Sequence, residues 1–151
     1  MDIFLNSFFG KIIRWLLFLP GSILALFAAY LLVGIWRWTS TLFLGMGETW
    51  LDVLVGEILA NFLAGGAFVT IGTIIAPDYK KIISVILTIL LISICLFGLF
   101  GAGLLTYFAY LLDFNILGEF KFWINIIALI ATGVGAVYAT IQIFKDVESV
   151  S

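Results

Sequence analysis

The chain reads as an all-α integral membrane protein, with four transmembrane helices preceded by an N-terminal amphipathic interfacial helix. Of its 151 residues, 64% are hydrophobic and only 11% charged, against roughly 45–50% apolar and 25% charged in ordinary soluble domains. Four stretches are apolar over the roughly 20 residues that carry a helix across about 30 Å of hydrocarbon. The connections between them are too short to form a soluble domain. A globular chain of this size has too few polar residues to cover the surface it leaves exposed, so lipid is the missing solvent. A membrane β-barrel needs alternating apolar and polar positions, whereas these runs are continuously apolar and rich in Leu, Ile, Ala and Gly.

Residues 1–19 carry the interfacial pattern. Asp2, Asn6, Gly10 and Arg14 recur every four positions with Lys11 beside them, while Phe4, Phe8, Ile12 and Trp15 occupy another face. Pro20-Gly21-Ser22 offers a break, so a surface helix is expected to end near Leu19 and turn into the first span. One long tilted helix kinked at Pro20 is the alternative. A cleaved secretory signal fits less well, because the apolar stretch outruns a signal core and Tyr30 to Trp38 continue as span.

The transmembrane domain is expected over 20–144, with spans at 20–38, 53–75, 82–112 and 122–144. The third is firmest from Ile82 to Leu105 and extends toward Leu112. The connection from Thr39 to Asp52 carries Leu42, Phe43, Leu44, Met46 and Trp50 and should lie along the membrane surface. Asp113 to Lys121 is a short connection, and 145–151 a short cytoplasmic tail.

Orientation follows from the seven Lys and Arg residues, because basic residues near span ends are retained in the cytoplasm. Lys11, Arg14, Lys80, Lys81 and Lys145 fall on one side, and Arg37 and Lys121 on the other. Both termini and the 77–81 turn are therefore expected to be cytoplasmic. Trp15, Trp36, Trp38, Trp50, Trp123, Tyr79, Tyr107 and Tyr110 all lie at or near span ends, where amphipathic rings sit among headgroups.

Helices in lipid associate through small residues that allow close approach. In the fourth span Ala128, Thr132, Ala136 and Thr140 form one ladder, and Ala131, Gly135 and Ala139 an adjacent one. Gly56, Ala60 and Ala64, extended by Gly65 and Gly72, make a third on the second span. On the third span Ser84, Thr88, Leu91, Cys95, Gly98 and Ala102 follow the heptad spacing of left-handed packing. These faces serve either one four-helix bundle or a homo-oligomer, and the breadth of the fourth-span face favours self-assembly.

Glu57 is the principal intramembrane ionisable group, roughly 6 Å inside Val53 at about 1.5 Å per residue. Asn61 lies one turn deeper on the same face, so the two form a polar stripe. In an oligomer a ring of Glu57 carboxylates would attract cations. The plainer reading hydrates Glu57 near the interface and uses Asn61 to fix packing. A coupled transporter would need a second buried carboxylate or a discontinuous helix pair, and neither is visible.

No enzyme is expected. The chain has no His, and its single Cys, Cys95, lies in an apolar run, which argues against metal, haem and redox cofactors. Gly45-Met46-Gly47 and Gly98 to Gly103 lack the strand, helix and Lys of a phosphate loop. Ser and Thr have no base at their depth. Glu48, Asp52, Asp113 and Glu119 share the outer face and read as solvated loop charges beside Arg37 and Lys121. The basic residues are scattered, so nucleic acid is not a partner.

The function these observations imply is a small, self-assembling membrane component that anchors, senses or signals for a soluble cytoplasmic partner. Lys11, Arg14, Asp78, Lys80, Lys81 and Lys145 are the expected contacts. An oligomeric channel or pore-forming effector around Glu57 and Asn61 is the alternative, and a small-molecule or lipid transporter with a lateral groove the third. The compact, loop-poor design points to a bacterial inner membrane. Four spans with almost no soluble part resemble the membrane member of the bacterial two-component phage-defence system Kiwa, a plan that holin-like proteins and many accessory subunits share. The likeness covers the architecture of the whole chain and no residue motif, so it implies a membrane sensor with a soluble partner and no site.

Overall fold

A computed structural model describes residues 8–44, 54–76, 78–111 and 120–149. They form α1 (Phe8–Leu44), a π-helical turn (Leu54–Leu59) that runs into α2 (Ala60–Ile75), α3 (Lys80–Leu111) and α4 (Phe120–Ser149). α1, α3, α4 and the run Gly56–Ile75 that joins most of the π-helical turn to α2 are each long and apolar enough to cross a membrane.

The N-terminal segment and the first span are one helix. α1 continues through Pro20 instead of turning there, although the ring removes one backbone donor. This departs from the expected boundary at Leu19 and matches the long-helix alternative. Gly10 and Arg14, read from the sequence as a headgroup-facing stripe, are instead buried and partly buried. The reason is Arg14, whose guanidinium finds the unpaired carbonyls at the end of α2. Asp2, Phe4 and Asn6 lie outside the described residues.

α1 also extends beyond Trp38 to Leu44, so the first part of the expected surface connection is helix. Met46, Trp50, Glu48 and Asp52 lie outside the described residues, as do Asp113 and Glu119. α4 continues past Phe144 to Ser149, which turns most of the expected tail into helix. At about 1.5 Å per residue the 37 residues of α1 reach about 55 Å, well over the hydrocarbon thickness. Tilt or protrusion absorbs such excess.

α2 is the hub, packed against α1, α3 and α4. Its close contacts rest on residues without bulk. A Cβ on Gly65 would strike the carbonyl of Thr132, and one on Gly135 the carbonyl of Phe62, so α2 and α4 cross backbone to backbone. A Cβ on Gly72 would strike the Ser22 hydroxyl, and one on Gly21 the side chain of Ile75, which fixes the α1 contact. Phe68, Val69, Ala76, Ile83, Leu87, Leu91, Ala136 and Ala139 form the buried core, toward the end that holds Lys11, Lys81 and Lys145.

The expected small-residue ladders fall largely inside this single chain. Gly56, Ala60, Ala64, Ala128, Ala131, Thr132, Gly135, Ala136 and Ala139 are buried, and Thr140 is partly buried. The broad face of α4 meets α2 and α3. It is not left open for a second copy.

Between α2 and α3 the chain turns within a few residues. Ala76 leaves the helix with ψ 133°, as a residue before proline prefers. Tyr79 sits at φ 56°, a left-handed conformation that non-glycine residues adopt mainly in tight turns. Its carbonyl then accepts from the Ile83 amide at 3.0 Å to start α3.

Candidate functional site

Two polar groupings stand out on this apolar bundle, one near each end. The first contains Glu57 and Asn61. Glu57 lies in the π-helical turn before α2, and Arg37 of α1 donates to its Oε1 at 3.1 Å. The Arg37 stem crosses Gly56 so closely that an added Cβ there would lie 2.7 Å from Cδ. Gly56 therefore makes room for the cation beside the carboxylate.

One turn deeper, Asn61 joins three helices. Its amide donates to the Glu57 carbonyl, while its Oδ1 accepts from the Tyr30 hydroxyl of α1 and, at 3.3 Å, from Thr132 of α4. Thr132 is 3.0 Å from the Ala128 carbonyl as well. Every polar group in this line has a partner in the chain, and the arrangement ties α1, α2 and α4 together. Polar side chains in lipid commonly serve this purpose.

A second interhelical polar contact lies between α3 and α4, toward the other end. The Thr88 and Thr140 hydroxyls are 2.6 Å apart, and Thr140 also donates to the Ser84 carbonyl at 3.4 Å. The sequence placed Ser84 and Thr88 on one packing face and Thr140 on another. The fold joins them.

The second grouping gathers the expected partner contacts at one end of the bundle. Lys11 of α1 pairs with Asp78 at 3.4 Å. Lys81 of α3 pairs with Glu148 of α4 at 3.2 Å and stands 5.3 Å from the centre of the Phe144 ring. Arg14 is partly buried and caps α2, its Nε 2.8 Å from the Ile75 carbonyl and its Nη2 3.1 Å from that of Ala76. Lys80 and Lys145 are exposed. Three contacts between different parts of the fold thus brace this end, and only two of its five basic side chains stay clear of them.

Between the ends of α2 and α4, beside the first residue of α3, a cleft of about 520 Å³ opens at this charged rim. A lateral crevice of about 460 Å³ lies nearer the opposite end, lined by Ile58, Phe62, Ile127, Ile130 and Val134 among others, without polar side chains. No group of His, Cys, Asp and Glu that would hold a metal ion occurs among the described residues.

Comparison with family models, with curated proteins and with solved structures finds no match.

Sequence reasoning placed Arg37 at the outer end of the first span, beside the loop carboxylates, and did not pair it with Glu57. The available signal was depth, since Arg37 lies near the end of the first span and Glu57 near the start of the second, joined by a short connection. Capping of α2 by Arg14 left no such signal, because it depends on how far α1 extends beyond the core.

Proposed function

We propose that this chain is a non-enzymatic membrane component that anchors a soluble partner, or signals through it, at its basic end. The observation that carries this reading is the collection of Lys11, Arg14, Lys80, Lys81 and Lys145 at a single braced end of an otherwise apolar bundle. Basic residues in short connections are retained in the cytoplasm, so that end faces a bacterial cytoplasm and carries both termini. Complementary charge steers and orients a partner there without requiring a deep pocket.

Two findings weigh against the other assignments. Glu57 already has a counter-charge, Arg37, within the same chain, which a cation drawn to a ring of such carboxylates would have to displace. The small-residue face of α4 is occupied by α2 and α3, so self-assembly is not needed to cover it.

The test is recovery of the full chain, tagged at its C-terminus, from membranes in mild detergent. The expected result is a soluble protein in fixed ratio that is lost from the Lys81→Glu/Lys145→Glu variant and kept by Asn125→Asp at the opposite end. Recovery of the chain alone, or only with further copies of itself, overturns the proposal.

A further inference from the structure

The cleft at the basic end holds three polar side chains that the fold leaves without partners. Thr70 of α2, Lys80 of α3 and Asp146 of α4 line it, together with Ile74, Ile143 and Val147. Hydroxyls in apolar helices normally bond back to a carbonyl of the preceding turn. Ser22, Thr73, Ser93, Thr106 and Thr132 all do so here. Thr88 and Thr140 bond across to the neighbouring helix instead, so among the described Ser and Thr side chains Thr70 alone is without a hydrogen bond, and it is partly buried against the cleft.

The neighbouring charges add a second, independent observation. Lys80 and Asp146 border the same space and form no ion pair with each other, although this end of the bundle pairs Lys11 with Asp78 and Lys81 with Glu148. The rim therefore presents one cation and one anion, both open. Below them the walls are Ile74 and Ile143, with Val147 beside Asp146 at the rim and Thr70 one helical turn deeper than Ile74, about 6 Å along α2.

We propose that this cleft binds a membrane phospholipid whose headgroup is zwitterionic and carries a primary amine. The phosphate lies against the Lys80 ammonium and the lipid ammonium against the Asp146 carboxylate. The glycerol region passes Ile74 and Ile143, the Thr70 hydroxyl donates to an ester carbonyl below them, and the acyl chain continues beyond Thr70 toward the bilayer core. The volume, about 520 Å³, holds a headgroup and glycerol region and lies in the usual range of about 300–1,000 Å³ for small-molecule sites. An anionic lipid without an amine would satisfy Lys80 and leave its charge facing Asp146, so the opposed pair selects against it.

Lys80 is shared with the proposed partner surface, so the test uses the purified chain with no other protein. Native mass spectrometry of the full chain in detergent, with phosphatidylethanolamine and phosphatidylglycerol added in equal amounts, reads bound lipid directly. The expected result is preferential retention of phosphatidylethanolamine, by up to about fivefold for exposed charge pairs. Asp146→Asn should erase that preference, and Lys80→Gln and Thr70→Val should weaken retention of both lipids. Gly103→Ala, outside the cleft and with open space around it, should change nothing. Equal retention of the two lipids by the unaltered chain overturns the proposal, as does a preference that Asp146→Asn leaves intact in a variant of unchanged helical content.

Discussion

Arg37 and Glu57 form an ion pair between α1 and the π-helical turn, with Nη1 3.1 Å from Oε1 and the two side chains 40% and 36% exposed. That exposure limits its strength, since ion pairs open to solvent contribute about 0.2–1 kcal/mol. A double-mutant cycle of Arg37→Gln and Glu57→Gln, read by thermal melting in detergent, should return a coupling of about 1 kcal/mol or less. Glu57→Gln should also leave bilayer conductance at the level of protein-free membranes. A cation current in the unaltered chain that falls in Glu57→Gln would restore the pore reading.

The crossing of α2 and α4 depends far more on shape. Gly65 faces the Thr132 carbonyl and Gly135 the Phe62 carbonyl, both of them backbone atoms that cannot swing aside. Gly65→Ala and Gly135→Ala should each destabilise the bundle by about 1–3 kcal/mol, the range for overpacking. Gly103→Ala is the contrast, because a Cβ there meets nothing within 4 Å. Its effect should stay within about 0.5 kcal/mol. Unfolding by denaturant in mixed micelles measures all three.

The same glycines mark what was legible in the sequence. Gly65, Ala128, Thr132 and Gly135 stand out because small residues at helical spacing permit close approach whatever the partner. The four spans are equally plain, since apolar length is counted directly from the chain. What spacing could not supply was the partner of each face, so the α4 ladders suited one bundle or a second copy alike, and it is α2 and α3 that cover them. Pro20 and Arg14 misled for a related reason. A helix-breaking residue and a cation mark a boundary only when no neighbouring helix compensates, and here α2 packs against Gly21 and Ser22 and offers its terminal carbonyls to Arg14. The Glu57 and Asn61 stripe was visible as a pair of polar residues, but its links to Arg37, Tyr30 and Thr132 are contacts between different helices.

Thr88 and Thr140 supply the corresponding test for α3 and α4. Their hydroxyls are 2.6 Å apart, in a region where the side-chain surroundings are largely apolar. Interhelical hydrogen bonds of this kind average about 0.6 kcal/mol and reach about 1.7. Thr88→Val and Thr140→Val should each fall in that range. The double variant should lose about as much as one single variant, because both remove the same bond. Strict additivity would show that the hydroxyls act separately, Thr88 through the Ala136 carbonyl and Thr140 through that of Ser84.

Arg14 makes the most demanding prediction, because its guanidinium serves three carbonyls at once. Nε is 2.8 Å from the Ile75 oxygen, and Nη2 is 3.3 Å from that of Ile74 and 3.1 Å from that of Ala76. These carbonyls close α2, where no further turn supplies amides and the helix dipole is negative. Arg14→Gln removes the charge and should destabilise by about 1.5–3 kcal/mol, the range for hydrogen bonds to charged groups. Arg14→Lys keeps the charge but loses the planar fork that reaches several acceptors, so it should fall between Gln and the unaltered chain. Hydrogen exchange gives the local readout. The Ala76 amide, bonded to the Gly72 carbonyl at 3.1 Å, should exchange faster in both variants while amides near Gly65 keep their protection. Equal loss of protection at both places would mean that Arg14 supports the bundle as a whole and does not cap α2 in particular.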